Sequence, residues 1–432
     1  MISVWNYDVN KPSFEELKQD VKTDVLIIGG GIAGILCAYM LQKSGVDCII
    51  TEQSTICSGV TQNTTAKITC QHGAIYDELI RKHGKEVARL YFESQDKALQ
   101  KYFNMCKSIE CDFEKKSSFV YSKTNTDKIE KEVNALNSIG CNAYYHNKTP
   151  LPITVKAAVE VKNQAQFNVL KFIYSVASNL KIYENTKVIE LTQTGAKTHQ
   201  HNITADKIIV ATHFPFVNKY GGYFIKMYQH RSYVSAFEKA QDVKGMYVDC
   251  ADDGLSFRNY KNLLLIGGAG HRTGKKGGGW NELNEFANKN YKSAKLIFSW
   301  ATQDCKTLDN MAYIGQYSKS TPNIYVATGF NKWGMTTAMS AAMILTDLIQ
   351  GKQNDYAGIF NPSRSVLHGQ LIVNTLHSMI GLLTPTVPRC PHLGCALKYN
   401  KQEHSWDCSC HGSRFSEDGK LLNNPATSDK QF

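Results

Sequence analysis

Short apolar runs alternate with helical patterns near the amino terminus of the chain. The run Asp24–Ile28 is bounded by glycine and predicts a buried strand, and the stretch Ile35–Ser44 that follows predicts a helix. A second apolar run, Cys48–Thr51, predicts the next strand. Strand, helix and strand in this order are typical of an α/β sheet with parallel strands.

The same alternation returns later in the chain. Residues 206–213 predict a further strand, and residues 322–339 predict a strand, a glycine turn and a helix. Between them, residues 85–106 have helical periodicity, whereas 232–237 and 262–266 alternate as strands do. We expect a substrate-facing layer of mixed structure from two segments, 76–148 and 216–302.

The turn after the first predicted strand reads Gly29-Gly-Gly31-Ile-Ala-Gly34. Gly29 permits a tight turn, Gly31 lets the backbone approach a pyrophosphate, and Gly34 allows the helix to pack closely on the strand. Glu52 ends the second strand and is placed to bond a ribose hydroxyl. Chance glycine turns are the alternative, but the strand, helix and acid at this spacing favour a dinucleotide site.

The run of small hydroxyl residues at 58–67 indicates which dinucleotide binds. Such a segment can wrap the diphosphate and the ring edge of a flavin, and the glycine turn at 329–334 could bring a second helix N-terminus to the same ring. The sequence therefore predicts FAD rather than NAD. The expected contacts from these two segments are Gly59, Thr61, Thr64, Thr65, Lys67, Gly329, Trp333 and Gly334.

Two cysteine–histidine pairs stand close together near the carboxyl end of the sequence. The first is Cys390-Pro-His392, and the second runs from Cys408 to His411. Thiolates bind one iron of a Rieske [2Fe-2S] cluster and imidazoles bind the other, so a CxH and a CxxH pair on two loops supply the ligands. We therefore predict that these two cysteines and two histidines bind such a cluster.

A structural Cys2His2 zinc site uses the same residue types and is the alternative interpretation. Zinc does not explain the additional cysteine in each loop, Cys395 and Cys410, which could form a disulfide that ties the loops together. Nor does zinc explain Gly394 and Gly412, which let the backbone turn tightly around a cluster. Both observations favour an iron–sulfur cluster.

Both ends of the chain resemble known families. The ligand loops, 390–397 and 405–415, closely resemble the Rieske proteins of cytochrome bc-type complexes, and 24–353 resembles the D-amino-acid-oxidase superfamily of FAD enzymes. The arrangement is similar to a bacterial family of FAD-dependent oxidoreductases fused to a C-terminal Rieske domain. The resemblance implies an α/β, Rossmann-like FAD domain with an α+β substrate layer, followed by a small all-β Rieske module. It also implies that Val188 contacts the adenine of FAD.

The resemblance divides the chain into four parts. They are an N-terminal extension at 1–23, the FAD-binding and substrate domains at 24–355, a linker helix at 356–388, and the Rieske module at 389–432. The module is shortened, because Pro388 almost abuts the first ligand loop, where a complete domain places several strands. Either the flavin domain supplies the missing packing surface, or the cluster is unusually exposed.

One position departs from the Rieske pattern in a way that bears on energetics. Ser413 matches a serine beside the cluster, but Phe415 stands where high-potential members have tyrosine. Hydrogen bonds to the cluster sulfurs help to set the reduction potential. We therefore expect a potential below that of those members.

Composition excludes some function classes. The net charge of +11, from 49 basic and 38 acidic residues, fits acidic partners or the phosphates of FAD, and the short lysine clusters lack the interleaved aromatics of nucleic-acid binders. Residues 1–20 lack the basic lead and apolar core of a signal peptide, and nine cysteines outside the ligand loops show no framework spacing. We expect a cytoplasmic protein.

No apolar stretch reaches the length that spans a bilayer. Residues 371–387 are fairly apolar but are interrupted by Asn374, His377 and Ser378. We expect this segment to pack on the flavin domain as a linker helix, with peripheral membrane contact as the alternative.

The candidates for substrate chemistry are Arg231, Tyr233, Arg258 and His271. An arginine could hold a substrate carboxylate through two parallel hydrogen bonds, and His271 could bond the flavin ring or act as a base. For each residue taken alone, a structural role is the alternative.

These observations predict an FAD-dependent oxidoreductase that takes a hydride from an amine or amino acid and passes electrons singly to the cluster. An electron-carrier protein or a quinone-type acceptor would then reoxidise the cluster. The alternative is a non-catalytic electron-transfer or redox-sensing flavo-iron–sulfur protein. A further variant runs the electrons backwards, from a ferredoxin to a substrate at the flavin.

Overall fold

The computed structural model describes residues 2–192, 194–365, 369–385 and 388–432. The parts of the predicted linker at 366–368 and 386–387 therefore lie outside the described residues. The helices that the described residues form are α1 (Ile32–Lys43), α2 (Tyr76–His83), α3 (Lys85–Met105), α4 (Thr126–Ser138), α5 (Val169–Ala177), α6 (Tyr223–Lys226), α7 (Gly279–Asn290), α8 (Gly334–Ile349) and α9 (Gly369–Leu383).

The strands that the same described residues form belong to three sheets. They are β1 (Val21–Ile28), β2 (Cys48–Thr51), β3 (Lys67–Ile68), β4 (Glu114–Ser122), β5 (Ala143–His146), β6 (Ala157–Gln166), β7 (Ile182–Tyr183), β8 (Glu190–Thr192), β9 (Gly195–Lys197), β10 (Asn202–Val210), β11 (Met227–Glu238), β12 (Met246–Asp249), β13 (Ser256–Tyr260), β14 (Leu263–Arg272), β15 (Lys295–Thr307), β16 (Tyr313–Gln316), β17 (Ile324–Thr328), β18 (Leu397–Asn400), β19 (Ser405–Cys408), β20 (Arg414–Ser416) and β21 (Leu421–Asn423).

The first sheet forms the nucleotide-binding half of the protein. Its order is β16-β17-β10-β1-β2-β7, and β7, β2, β1, β10 and β17 run parallel. Leu26 and Ile27 of β1 are fully buried, as expected for a central strand covered on both faces. A Cβ on Gly34 would lie 1.9 Å from the carbonyl oxygen of Gly29, so only glycine lets α1 approach β1 this closely.

The second sheet forms the mixed layer beside the first. Its order is β15-β11-β14-β13-β12-β4-β6-β3, with β5 paired to β6, and α7 packs against β11 and β14. The two segments predicted as the substrate-facing layer supply most of its strands. This sheet and the first sheet belong to the part of the protein that we call the body, residues 2–192 and 194–365.

The third sheet, β18-β19-β20-β21, is antiparallel throughout and forms a small module at 388–432. Its own core is small and centres on cysteines, Leu397 and Phe415. The body supplies further packing surface: Gln229 and Gln303 of the second sheet donate hydrogen bonds to the carbonyl oxygens of His411 and Gly412. Cys390 and Cys408, which belong to the core of the module, are buried in this arrangement.

A buried ion-pair cluster joins the module to the body. Glu403 of the module accepts hydrogen bonds from Arg231 of β11, with Nε to Oε1 at 3.0 Å, and from Arg414 of β20, with Nη2 to Oε2 at 2.9 Å. Tyr233 donates to the same carboxylate at 3.0 Å, and Arg414 also pairs with Asp407 at 2.9 Å. The four charged side chains are each 7% exposed or less, so each depends on its partners for solvation.

Replacing Glu403 with Gln would leave the guanidinium groups of Arg231 and Arg414 without the charge that lies between them. We expect a loss of about 3–5 kcal/mol in the free energy that holds the module folded on the body, because breaking a buried pair leaves an uncompensated charge. Hydrogen exchange of the backbone amides of β19 and β20 measures this loss and should become faster.

The matched control is Glu417→Gln, which removes a carboxylate of the same module that is 57% exposed. This variant should leave the exchange rates of β19 and β20 unchanged, because solvent screens exposed pairs. Equal protection in the Glu403 variant and the wild-type protein would contradict a stabilising role for the buried cluster.

Candidate functional site

A cavity of about 1700 Å³ lies between the first two sheets and reaches the module. Its walls include Gly29, Gly31 and Glu52 at one end and Arg414 and Asn424 at the other. Its volume exceeds the 300–1,000 Å³ or so that is usual for a small ligand. It is large enough for a dinucleotide and a second molecule.

The end of the cavity near α1 has the features of a phosphate cradle. Gly31 precedes α1 and lines the cavity, and a Cβ there would meet only the Thr61 hydroxyl, at 3.3 Å. At Gly59, which also lines the cavity, a Cβ would meet nothing within 4 Å. Glu52 is fixed by the amide of Gly30, whose nitrogen lies 2.8 Å from Oε2. Backbone without side chains at the two glycines, the N-terminus of α1 and the fixed carboxylate of Glu52 together suit the pyrophosphate and the ribose of a dinucleotide.

The predicted hydroxyl segment forms the next part of the wall. Thr61, Thr64, Thr65 and Lys67 all line the cavity, and so does Val188 from the other side. The Thr61 hydroxyl accepts a hydrogen bond from the amide of Ile32, at 3.0 Å, which ties this segment to the start of α1. Burial and the nearby charge of Arg258 lower the pKa of Lys67 to about 7.

The late glycine turn forms the far wall with Gly329, Trp333 and Gly334. The ring of Trp333 stacks on that of His72, with centroids 5.0 Å apart and planes 8° from parallel. His72 also lines the cavity, and its Nδ1 lies 2.7 Å from the Tyr91 hydroxyl. No local pattern in the sequence marks His72, because its partners Tyr91 and Thr336 lie on α3 and α8, far away along the chain.

The four substrate candidates occupy different places. Arg231 and Tyr233 line the cavity, but both bond Glu403 of the module. His271 is buried behind them, with Nε2 2.9 Å from the Tyr233 hydroxyl. Arg258 is fully buried, donates to the carbonyl oxygens of Thr65 and Ala66 at 2.7 and 2.9 Å, and does not line the cavity. The structure places Arg231 and Tyr233 on Glu403, joins His271 to Tyr233, and keeps Arg258 apart.

Other charged side chains of the cavity wall were missed. Lys306 lies 3.2 Å from the carboxylate of Asp252, and Lys332 and Asp304 are close enough to influence each other electrostatically. Lys332 is accessible from the cavity, yet the surrounding protein lowers its pKa to about 8. Asp304 and Lys306 lie on β15, but Asp252 and Lys332 lie on two distant loops. Because lysine is also common on surfaces, no spacing in the sequence singled these residues out.

The predicted ligand residues converge between the two ligand loops. The thiol of Cys408 lies close enough to Cys390 to lower the pKa of Cys390 to about 7, and the rings of His392 and His411 have centroids 5.1 Å apart. Burial lowers the pKa of His411 to about 3, so the ring is neutral, and its buried Nδ1 has no hydrogen-bond partner among the described residues. Two thiols and two neutral imidazoles, one with an unsatisfied nitrogen, fit a Cys2His2-ligated cluster.

A disulfide joins Cys395 to Cys410, with Cα atoms 6.5 Å apart, and so connects the two ligand loops. The sulfurs of Cys395, Cys408 and Cys410 lie within 4.8 Å of one another. Since two of these three are joined, they offer no thiolate to a metal. The free thiols at this place are those of Cys390 and Cys408.

The cluster ligands and the cavity share a wall. Gln229 lines the cavity and donates to the carbonyl oxygens of His411, at 3.1 Å, and of Asn424, at 2.6 Å. Phe224 lies between the body and the module, with its ring 5.5 and 5.7 Å from those of His392 and His411. Neither residue carries a sequence signal, because both act through contacts between distant segments.

Among the residues described, no helix is both long and apolar enough to cross a membrane. The helix α9, within the predicted linker, packs its Gly381 against the Cys410 sulfur and accepts a hydrogen bond from Arg272 of the body at Asn374.

Comparisons with known proteins agree with this geometry. The sequence model of FAD-dependent oxidoreductases, of the D-amino-acid-oxidase type, matches residues 24–348, and the model of the Rieske [2Fe-2S] domain matches residues 371–432. The Rieske 2Fe-2S iron-sulfur protein YhfW of Bacillus subtilis is 32% identical over 486 aligned positions, which cover 98% of this chain and 95% of that protein. A cytochrome b6-f complex iron-sulfur subunit of Nostoc is 41% identical over 58 residues, covering 13% of this chain and 30% of that subunit.

Solved structures show the same fold for the body. L-proline dehydrogenase from P. horikoshii superposes with a TM-score of 0.68 at 17% identity, covering 80% of this chain and 98% of that one. Glycine oxidase from Geobacillus kaustophilus gives a TM-score of 0.67 at 18% identity, covering 80% and 99%. The cofactors that these families imply are FAD and a [2Fe-2S] cluster, and the residues of both sites fit them. This chain therefore belongs to the FAD-dependent oxidoreductases of the D-amino-acid-oxidase family and carries a C-terminal Rieske [2Fe-2S] domain.

Proposed function

We propose that the protein is a dehydrogenase of amines or amino acids that passes the electrons from its flavin, one at a time, to its own cluster and then to an external acceptor. The observation that carries this proposal is the shared wall, because Gln229 lines the FAD cavity and also donates to the carbonyl oxygen of His411 in the second ligand loop. Asn423, Asn424 and Thr427 of the module line the same cavity. A separate carrier is therefore not needed between the two sites.

The two cofactors supply complementary chemistry when they are bound: FAD accepts a hydride, and the cluster accepts single electrons. The substrate would lose a hydride from the carbon that bears nitrogen and a proton from that nitrogen, which gives an imine. The residues of the chain bind and orient the substrate and hold the module against the cavity. The acceptor removes two electrons per substrate, in two steps.

We assign substrate carboxylate binding to Lys332, with Lys306, which already pairs with Asp252, beside it as a second positive charge. Arg231 directs its Nε and Nη2 groups at Glu403, so those two donors are already used inside the protein. The two lysines line the cavity with Asp304 and Asp252, and a site of mixed charge suits a molecule that carries both an amine and a carboxylate. The fold neighbours named for L-proline, glycine and L-amino acids support this substrate class.

An anaerobic screen of amines and amino acids tests the proposal. A substrate should bleach the flavin absorbance first and then produce the electron paramagnetic resonance signal of the reduced cluster. His411→Ala should remove the cluster signal and leave flavin bleaching intact, because the hydride transfer does not involve the cluster. His404→Ala, in an exposed part of the same module, is the matched control and should keep both signals.

Two outcomes would contradict this order of events. If His411→Ala protein with a full complement of FAD is no longer bleached by the substrate, the flavin does not act first. If no amine or amino acid bleaches the wild-type flavin but reduced carriers do, the protein transfers electrons without oxidising a metabolite.

Replacing Lys332 with Met should impair the use of carboxylate-bearing amines. We expect KM for an amino acid substrate to rise about tenfold or more, since a hydrogen bond to a charged group contributes about 1.5–3 kcal/mol. The corresponding amine without a carboxylate should be unaffected. Lys319→Met, at an exposed turn, serves as the control, and an equal loss for both substrates would rule out carboxylate binding by Lys332.

Replacing Phe415 with Tyr should raise the reduction potential of the cluster. Phe415 is fully buried with both ligand cysteines in the core of the module, and Ser413 is the hydroxyl residue that contacts the Cys390 sulfur. A second hydroxyl donor would stabilise the reduced cluster. A redox titration followed by electron paramagnetic resonance measures the shift, with Phe432→Tyr, at an exposed position, as the control.

For the wild-type protein, the expected potential lies below the top of the Rieske range of roughly −150 to +300 mV. A wild-type value at that upper limit would show that the missing hydroxyl at position 415 does not matter. Loss of the Ser413 hydroxyl in Ser413→Ala should lower the potential further.

A further inference from the structure

The helix α9 has its apolar side on the outside. The buried residues of α9 are Asn374 and Gly381, which are seven residues apart and therefore lie on one face. Asn374 is 7% exposed, and Gly381 contacts the Cys410 sulfur. The opposite face is formed by large aliphatic side chains that are between 52% and 78% exposed: Ile372, Leu376, Met379, Ile380 and Leu383. A helix on a water-exposed surface normally has the reverse arrangement.

This apolar face continues onto the loop that contains His392. Arg389 donates to the carbonyl oxygens of Leu382, at 2.9 Å, and Gly394, at 3.1 Å, so it holds the end of α9 beside the ligand loop. Leu393 of that loop is 50% exposed, and Leu382 is 47% exposed. No described residue covers this patch, although exposed apolar patches of this kind usually mark a contact surface.

The charges around α9 are positive. The helix itself has no charged residue, and Arg272, Lys275 and Lys398 surround His377 on its flank and lower the pKa of that histidine, after the larger effect of burial. Arg389 adds a positive charge at the C-terminal end, where it also complements the helix dipole. A bare apolar stripe with a basic flank matches the surface of an anionic bilayer, in which acyl chains lie beneath negative headgroups.

We infer that α9 lies in the surface of an anionic phospholipid bilayer, with its aliphatic face among the acyl chains and Lys275, Lys398 and Arg389 at the headgroups. With 15 residues, α9 is about 22 Å long, which suits a helix that lies in the interface. The face contains no aromatic residue and no arginine, whereas protein interfaces concentrate their binding energy in Trp, Tyr and Arg. A bilayer is therefore the occupant that the composition favours. This contact would bring the half-buried His392 edge of the cluster site to the membrane surface.

Vesicle flotation of the full-length protein loaded with FAD and iron tests the inference. The protein should float with vesicles that contain phosphatidylglycerol and bind much less to pure phosphatidylcholine, and added salt should weaken the binding. The triple variant Ile372→Gln/Leu376→Gln/Ile380→Gln should lower the partition coefficient about tenfold or more. Lys275→Gln/Lys398→Gln should reduce the preference for phosphatidylglycerol.

The matched control is Leu296→Gln/Ile297→Gln on β15, two exposed aliphatic residues of the body that should not affect binding. The flavin and cluster spectra show whether each variant keeps its cofactors. If the triple variant loses them, Leu383→Gln, which replaces the most exposed of the large apolar side chains of α9, should still weaken flotation several-fold.

Three results would overturn the inference. The first is that all of the wild-type protein stays in the vesicle-free fraction with both lipid compositions. The second is that the α9 variants float as well as the wild type. The third is that light scattering without lipid gives twice the mass of one chain for the wild type and the mass of a single chain for the triple variant, which would assign the face to a second copy of the protein.

Discussion

A single buried carboxylate fixes how the two cofactor sites are arranged. Glu403 lies between Arg231 of the second sheet and Arg414 of the module. Burial by itself would raise the pKa of Glu403, but the two guanidinium groups outweigh burial and keep the pKa below its usual value. Because none of these charges could remain buried alone, the body and the module each provide what the other requires. Gln229 and Gln303 add hydrogen bonds between the body and the module, whose relative position the buried charges define.

This arrangement has consequences for both sites. The module gains the packing surface that its short sheet lacks, and it becomes part of the cavity wall through Arg414, Asn423 and Asn424. At the same time, Arg231 is committed to Glu403, although its residue type suggested substrate binding. Since Arg231 is used in this way, we assign substrate recognition to Lys332, with Lys306 beside it, both of which line the cavity.

The helix α9 shows a different kind of constraint. It must pass over the disulfide between Cys395 and Cys410, and only a residue without a side chain allows this, since a Cβ on Gly381 would lie 2.5 Å from the Cys410 sulfur. The face that contains Gly381 is therefore turned inward. The aliphatic face must then point outward, even though burying it would be favourable in water. The end of the protein that contains the cluster ligands therefore has an apolar surface, because the disulfide that joins the two ligand loops requires the Gly381 face of α9 to lie inward.

The sequence by itself determined the local features of this protein. The run before Gly29 forms β1, the segment after it forms α1, and the predicted helix at 85–106 is α3, because hydrophobic periodicity and glycine turns act within a few residues. The cofactors were also predictable, since the short spacings of a glycine turn and of paired Cys and His carry their chemistry locally. Only the tertiary structure decided which charges meet. Arg231 and Glu403 are 172 residues apart, and an ion pair between distant segments leaves no pattern in either segment. The same reason applies to α9: its composition predicted a helix, but which face is buried depends on what the folded chain places beside it.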